Sequence, residues 1–208
     1  MVSKRLVIFV LLAVFGAMIL PLMSAAQSNR FDVSAGASAV FSKSSSGNGT
    51  TDSPTNSLGF LATARYRFNA KHSLAVNYGR TQNSQIFSTP PFFYRIQGSV
   101  SEYSGAYMFS PFETKKLEPF LFAGAGALVF NPSNTFIDGF QVPVAAVRQT
   151  EIAFLYGAGV DYRVHSFVGL RLQYRGLIYK APDFSFPGFL TSARGHLAEP
   201  SIGLVFKF

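Results

Sequence analysis

The chain has 208 residues, 48% hydrophobic and 13% charged, with 18 Lys and Arg against 10 Asp and Glu and no cysteine. That length suits one domain, and the lack of cysteine excludes disulfide staples, thiolate zinc sites and cysteine nucleophiles. The basic residues are scattered singly among apolar stretches, so the formal net charge of +8 fits an anionic membrane surface better than nucleic acid, which is not expected as a partner.

The first element reads as an export signal. Lys4 and Arg5 precede an apolar run from Leu6 to Leu20, Pro21 breaks it, and Ser24-Ala25-Ala26 offers the small residues a signal peptidase reads. Residues 1–26 are therefore expected to be a cleaved signal peptide, with a retained membrane helix as the alternative. Residues 27–208 are expected to form one domain. Removing Lys4 and Arg5 takes the net charge from +8 to +6.

After Gln27 the apolar residues recur with period two, the signature of strands. Phe31 to Phe41 opens the series, with Val40 an exception on the polar parity, and Leu58 to Phe68 follows, with Leu61 a second exception. Leu74 to Gly79 and Glu102 to Phe109 make a third and fourth strand. The fifth, Pro119 to Phe130, is apolar on both parities, so its inner and outer faces stay unassigned. Glu151 to Arg163, Val168 to Arg175 and Leu197 to Phe208 complete eight.

The connectors alternate in length. Those at 69–72, 110–116 and 165–166 are short, whereas those at 43–57, 81–95, 131–148 and 180–195 are long. A transmembrane barrel has this asymmetry, with short periplasmic turns and longer external loops. Backbone polar groups in hydrocarbon must pair internally, so eight such strands are expected to close into an antiparallel up-and-down barrel.

Arg or Lys facing lipid at the midplane costs roughly 2 to 4 kcal/mol. The parity carrying Asp32, Arg65, Arg67, Asp161, Arg163, Arg171 and Lys207 is thus expected to face the lumen as a charge network. Asp161 should pair with Arg171 across the turn at 165–166, and Asp32 should meet Lys207 where the last strand closes on the first. Glu102, Glu151, Glu199 and Arg175 should lie in the outer half. An eight-stranded lumen is filled by side chains rather than water. Phe68, Phe109, Phe120, Tyr162, Phe206 and Phe208 are expected in the inner aromatic girdle, and Phe41, Phe60, Tyr78, Phe154 and Tyr174 in the outer half.

Gly124-Ala125-Gly126 and Gly157-Ala158-Gly159 lack the following helix of a phosphate-binding loop and read as relief of crowding inside strands. His72, His165 and His196 have no metal-ligand spacing. Neither a metal nor a cofactor is expected.

The terminal Phe206-Lys207-Phe208 strand, the Gly-Ala-Gly strands and the alternating connectors resemble the small eight-stranded outer-membrane barrels, the OmpA-like and OmpX-like group. The resemblance spans Phe31 to Phe208 and implies residence in the bacterial outer membrane, among lipid and lipopolysaccharide, as a monomer. It also implies that Ile202, Leu204, Phe206 and Phe208 form the signal read by the barrel assembly machinery. The function expected is non-enzymatic, structural or loop-presenting, with a possible surface partner for the apolar loop residues Phe87, Pro90 to Tyr94, Phe184, Phe186, Phe189 and Leu190, which could instead cover the barrel mouth. A lipid A acylhydrolase is the alternative, and Ser192, His196 and Glu199 would be its nearest constellation.

Overall fold

The structure, a computed structural model, describes residues 30–143 and 146–208. The segment expected to be the signal peptide lies outside the described residues. Eleven strands form one sheet. Eight of them make the barrel wall: β1 (Phe31–Lys43), β4 (Ser57–Arg67), β5 (His72–Thr89), β6 (Phe92–Phe109), β7 (Leu117–Ile137), β9 (Gln149–Arg163), β10 (Val168–Lys180) and β11 (Arg194–Lys207). Each pairs antiparallel with its chain neighbour, and β1 pairs with β11, which closes the sheet. The remaining strands, β2 (Ser45–Gly47), β3 (Thr50–Asp52) and β8 (Phe140–Val142), lie in the long connections.

The register fixes the barrel's shape. Cα partners followed around the wall lead from Asp32 through Arg65, Ala75, Ala106, Gly124, Leu155, Leu177 and Leu197 back to β1 at Ser42, ten residues beyond the start. With about 3.3 Å per residue and about 4.8 Å between strands, this stagger over eight strands tilts each by about 40° to the axis. The lumen is correspondingly narrow.

Alternation decides what fills it. Leu58, Val76, Leu121, Ile152, Ile202 and Leu204 point outward and are exposed, whereas Asp32, Arg65, Asp161 and Arg171 point inward and are buried. This reverses the pattern of a water-soluble domain and suits a hydrocarbon surround. Val40 and Leu61, the two exceptions to alternation, are lumen residues, each 4% exposed. In β7 the inward parity is Glu118, Phe120, Phe122, Leu128 and Phe130, all buried, with Leu117 and Leu121 outside.

Phe120 therefore does not belong to the inner girdle. It is 1% exposed and lies in the lumen, where its ring sits beneath the Arg171 and Arg65 guanidiniums, 5.4 and 5.8 Å from their central carbons. A Cβ on Gly159 would collide with the Phe120 ring, and one on Gly157 with Phe122. These glycines make room for large lumen side chains on the neighbouring strand.

The long connections are more ordered than their composition implies. Residues 81–95 do not form a loop: β5 and β6 remain paired from Thr81 and Val100 up to Thr89 and Phe92, with only Pro90 and Pro91 at the turn. β7 follows them to Ile137 and pairs with β8. At 18, 18 and 21 residues, these strands far exceed the ~9 to 11 residues that cross a bilayer, so a three-stranded extension rises from one side of the external rim. The first connection is a hairpin, β2 and β3, turned at Asn48 and Gly49 with φ of 51° and 76°, a conformation suited to Asn-Gly.

Candidate functional site

The most constrained chemistry lies in the periplasmic half of the lumen. Arg65 donates to three carboxylates at once, through Nε to Asp32 at 2.6 Å, Nη1 to Glu118 at 3.2 Å and Nη2 to Asp161 at 2.7 Å. Arg171 binds Asp161 bidentately at 2.7 and 2.9 Å, and also reaches Asp32 and Ser34, each at 3.0 Å. Arg67 and Lys207 complete the cluster on Glu118, at 2.7 and 2.9 Å. Four cations thus share three carboxylates. The planar guanidinium fork allows such sharing, since its five N–H donors diverge toward different strands.

Two expected contacts differ. Asp32 and Lys207 are Cα partners at the seam, yet the Lys207 ammonium pairs with Glu118, because Asp32 is already engaged by Arg65, Arg171 and Arg67. Arg163 lies outside the buried cluster. It sits at the periplasmic rim with Glu113, both side chains about a third exposed, because it follows Asp161 by one inward step toward the turn. Glu118 is the member the sequence reading missed. Its strand is apolar on both parities, and the only signal was a lone carboxylate two residues from Phe120.

A polar chain continues outward. Thr63 donates to Asn77 at 2.9 Å, Asn77 to Ser104 at 3.1 Å, and Ser104 to Glu102 at 2.6 Å. Glu102 accepts from Arg175, whose Nε lies 3.4 Å from Glu199. Glu151 stands apart and accepts from Gln149 at 2.6 Å. Beyond Arg175 the lumen turns apolar, with Leu128, Phe130, Leu155 and Leu177 buried in it.

The mouth is closed by the connections themselves. Phe184 and Phe189 from the fourth connection fold inward against Phe87. Phe87 stacks on Phe189 at 4.4 Å and meets Phe184 edge-on at 6.1 Å. The β2–β3 hairpin latches over this plug: Asn48 donates to the Leu190 carbonyl at 2.9 Å, and Thr50 to the Gly188 carbonyl at 2.9 Å. Asp52, on the inner side of that hairpin, is 1% exposed. Burial lifts its carboxyl to about 7. With its amide nitrogen facing Asp52, Gln85 lies 3.0 and 3.2 Å from the two carboxylate oxygens. Arg65, Arg171 and Arg175 are each 2% exposed or less, so no open water column runs past them.

The apolar loop residues divide into two groups. Phe87, Phe184 and Phe189 belong to the plug, whereas Phe92, Phe93 and Phe140 stand exposed at the end of the extension. Ile202, Leu204 and Phe206 lie exposed on the outward face of β11, and Phe208, just past its end, donates its amide to the Phe31 carbonyl at 2.8 Å. Ser192, His196 and Glu199 are not brought together. Glu199 points into the lumen, while His196 lies on the opposite face of β11 and hydrogen-bonds Tyr156 at 2.9 Å. Ser192 shares a 3.3 Å contact with Asn48.

This architecture matches known proteins. The profile of the outer membrane protein beta-barrel domain fits residues 9–205. The chain belongs to that family. This outer-membrane barrel is similar in fold to the crystal structure of Neisserial surface protein A, at 22% identity and a TM-score of 0.57, over 86% of this chain and 97% of the other. OprG of Pseudomonas aeruginosa aligns at 13% identity with a TM-score of 0.59, over 86% and 95%. Ail of Yersinia pestis aligns at 16% with 0.52, over 86% and 98%. A comparison with curated proteins finds no match. Family membership places the barrel in the bacterial outer membrane, in contact with its lipid and lipopolysaccharide.

Proposed function

We propose that this outer-membrane barrel is non-enzymatic and monomeric and acts at the cell surface through its β5–β6–β7 extension, with the wall and lumen as a rigid support. The observation that carries this reading is the exposure of Phe92, Phe93 and Phe140 at the far end of a hydrogen-bonded extension, 48%, 58% and 78% respectively. Exposed apolar clusters mark contact sites, and these three are not needed to close the mouth. Ail, called an attachment invasion locus protein and crystallised with the heparin analogue sucrose octasulfate, has a similar fold; support here comes from the extension itself. On the same reading, residues 1–26 direct export, and Ile202, Leu204, Phe206 and Phe208 are read by the barrel assembly machinery. The test is adhesion of bacteria expressing the protein with Phe92, Phe93 and Phe140 replaced by Ser. Adhesion to host-cell surfaces should fall while heat-dependent gel mobility stays unchanged. Undiminished adhesion by the folded variant rejects the proposal.

A further inference from the structure

The outer surface of β5 and β6 carries a second feature, unrelated to the tip. Where these strands emerge from the lipid-facing band, their outward residues change character within two positions. Tyr78 and Tyr103 are Cα partners, with ring centroids 5.3 Å apart. On the membrane side of that pair lies an apolar groove of about 470 Å³, lined by Val33, Ala62, Ala64, Val76 and Gly105 and bounded by the two tyrosines. Its floor is built of small side chains.

On the external side of the pair, the next outward partners are Arg80 and Ser101, then Gln82 and Ser99, then Ser84 and Gln97. They border a polar cleft of about 510 Å³ whose lining includes Arg80, Arg95, Gln82, Gln97, Ser99 and Ser133 and, among the described residues, holds no carboxylate. A register shift at Gln97 and Gly98 leaves Ser133 of β7 as an extra residue at its edge, the usual use of a bulge to re-aim a side chain. Arg95 is drawn toward the cleft by its hydrogen bond to Ser84 at 3.2 Å. Among the described residues, neither Arg80 nor Arg95 forms a salt bridge, although the lumen arginines are all paired.

Two cations without counter-ions, several neutral donors and an adjoining acyl-sized groove describe one ligand class. We propose that the outer face of β4, β5 and β6 binds a single outer-leaflet amphiphile with a phosphorylated head group. Its phosphate lies between Arg80 and Arg95, and an acyl chain lies in the Val76–Gly105 groove. A soluble anion would use the cleft and ignore the groove; an uncharged lipid would do the reverse. The tyrosine pair marks the polar boundary between the two parts, where amphipathic rings are at home.

The test uses the full protein folded in phosphatidylcholine nanodiscs containing either bis-phosphorylated lipid A or the same lipid dephosphorylated, with retained lipid counted by native mass spectrometry. The wild type should retain the phosphorylated form preferentially. Arg80→Gln with Arg95→Gln should lose roughly thirtyfold in affinity for it, at about fivefold per surface arginine, and should no longer distinguish the two lipids. Gly105→Leu is sterically open, since an added Cβ meets nothing nearer than the Ala75 carbonyl oxygen at 4.0 Å. It should weaken both lipids alike and keep the phosphate preference. Equal retention of the two lipids by the wild type, an unaffected arginine variant, or displacement of lipid A by inorganic phosphate alone would each overturn the proposal, the last in favour of a free-anion site. Heat-dependent gel mobility verifies that each variant is folded.

Discussion

Replacing Asp52 with Asn should remove a pH dependence built into the external latch. Asp52 is buried under the β2–β3 hairpin, and desolvation raises its carboxyl from 3.8 to about 7. That rise corresponds to at most about 4 kcal/mol, since the Gln85 amide nitrogen facing the carboxylate oxygens favours the ionised form and works against it. A carboxyl with a raised pKa favours the folded latch while it is protonated. That contribution is complete below pH 3.8, declines as pH rises, and is gone above about 7. The hairpin's ladder with β5 is short, Thr51–Ser88 and Asp52–Phe87, continued by the backbone bonds Ser53 to Ile86 and Thr55 to Ser84, so its local release, rather than unfolding of the barrel, is the expected response to ionisation. Hydrogen exchange of Thr50 to Asp52, corrected for intrinsic rates, should show protection at pH 5 and its loss at pH 8. Asp52→Asn, neutral and of the same shape, should stay protected at both. Equal pH dependence in the two proteins would refute the argument, because the ionisation responsible would then lie elsewhere.

Two further predictions concern the lumen. Glu118→Gln leaves Arg65, Arg67 and Lys207 short of a carboxylate inside the barrel, so urea unfolding in micelles should show a loss of about 3 to 5 kcal/mol; a change under about 0.5 kcal/mol, the scale of a neutral surface substitution, would mean that the network is redundant there. Phe184→Ser with Phe189→Ser should loosen the mouth without making a pore, since Leu155, Leu177 and the Arg175 layer remain below. Planar-bilayer recordings should stay free of stable channels, and discrete openings would show that the aromatic plug is the actual seal.

Much of this fold is legible in the sequence, and the places where it is not share one cause. Alternation reveals a strand only when its two sides face different solvents. β1, β4, β9 and the inner part of β10 have lipid outside and charges inside, so Asp32, Arg65, Asp161 and Arg171 stand out against their apolar neighbours. In the outer lumen both sides are apolar: Leu128 and Phe130 line a dry interior while the same strand meets lipid, so β7 loses its contrast and Phe120 and Glu118 cannot be assigned. Above the membrane both sides are polar, and Gln82 to Gln85 read as loop although they continue β5. Val40 and Leu61 look like errors in a pattern but both face the lumen, Val40 within its apolar section. The partners chosen by Lys207 and Arg163 depend on side-chain reach across the lumen, which spacing along one strand does not encode.

The extension also alters the economics of recognition at the surface. A disordered loop over residues 81–95 would have to be immobilised by whatever binds it, at about 1 to 2 kcal/mol of backbone entropy for each residue fixed. Here β5 and β6 are hydrogen-bonded to each other along that whole stretch, so the ordering takes place during folding. A partner meeting Phe92 and Phe93 meets a preorganised target. Its association should therefore show little temperature-dependent ordering cost and a rate set by encounter rather than by conformational search.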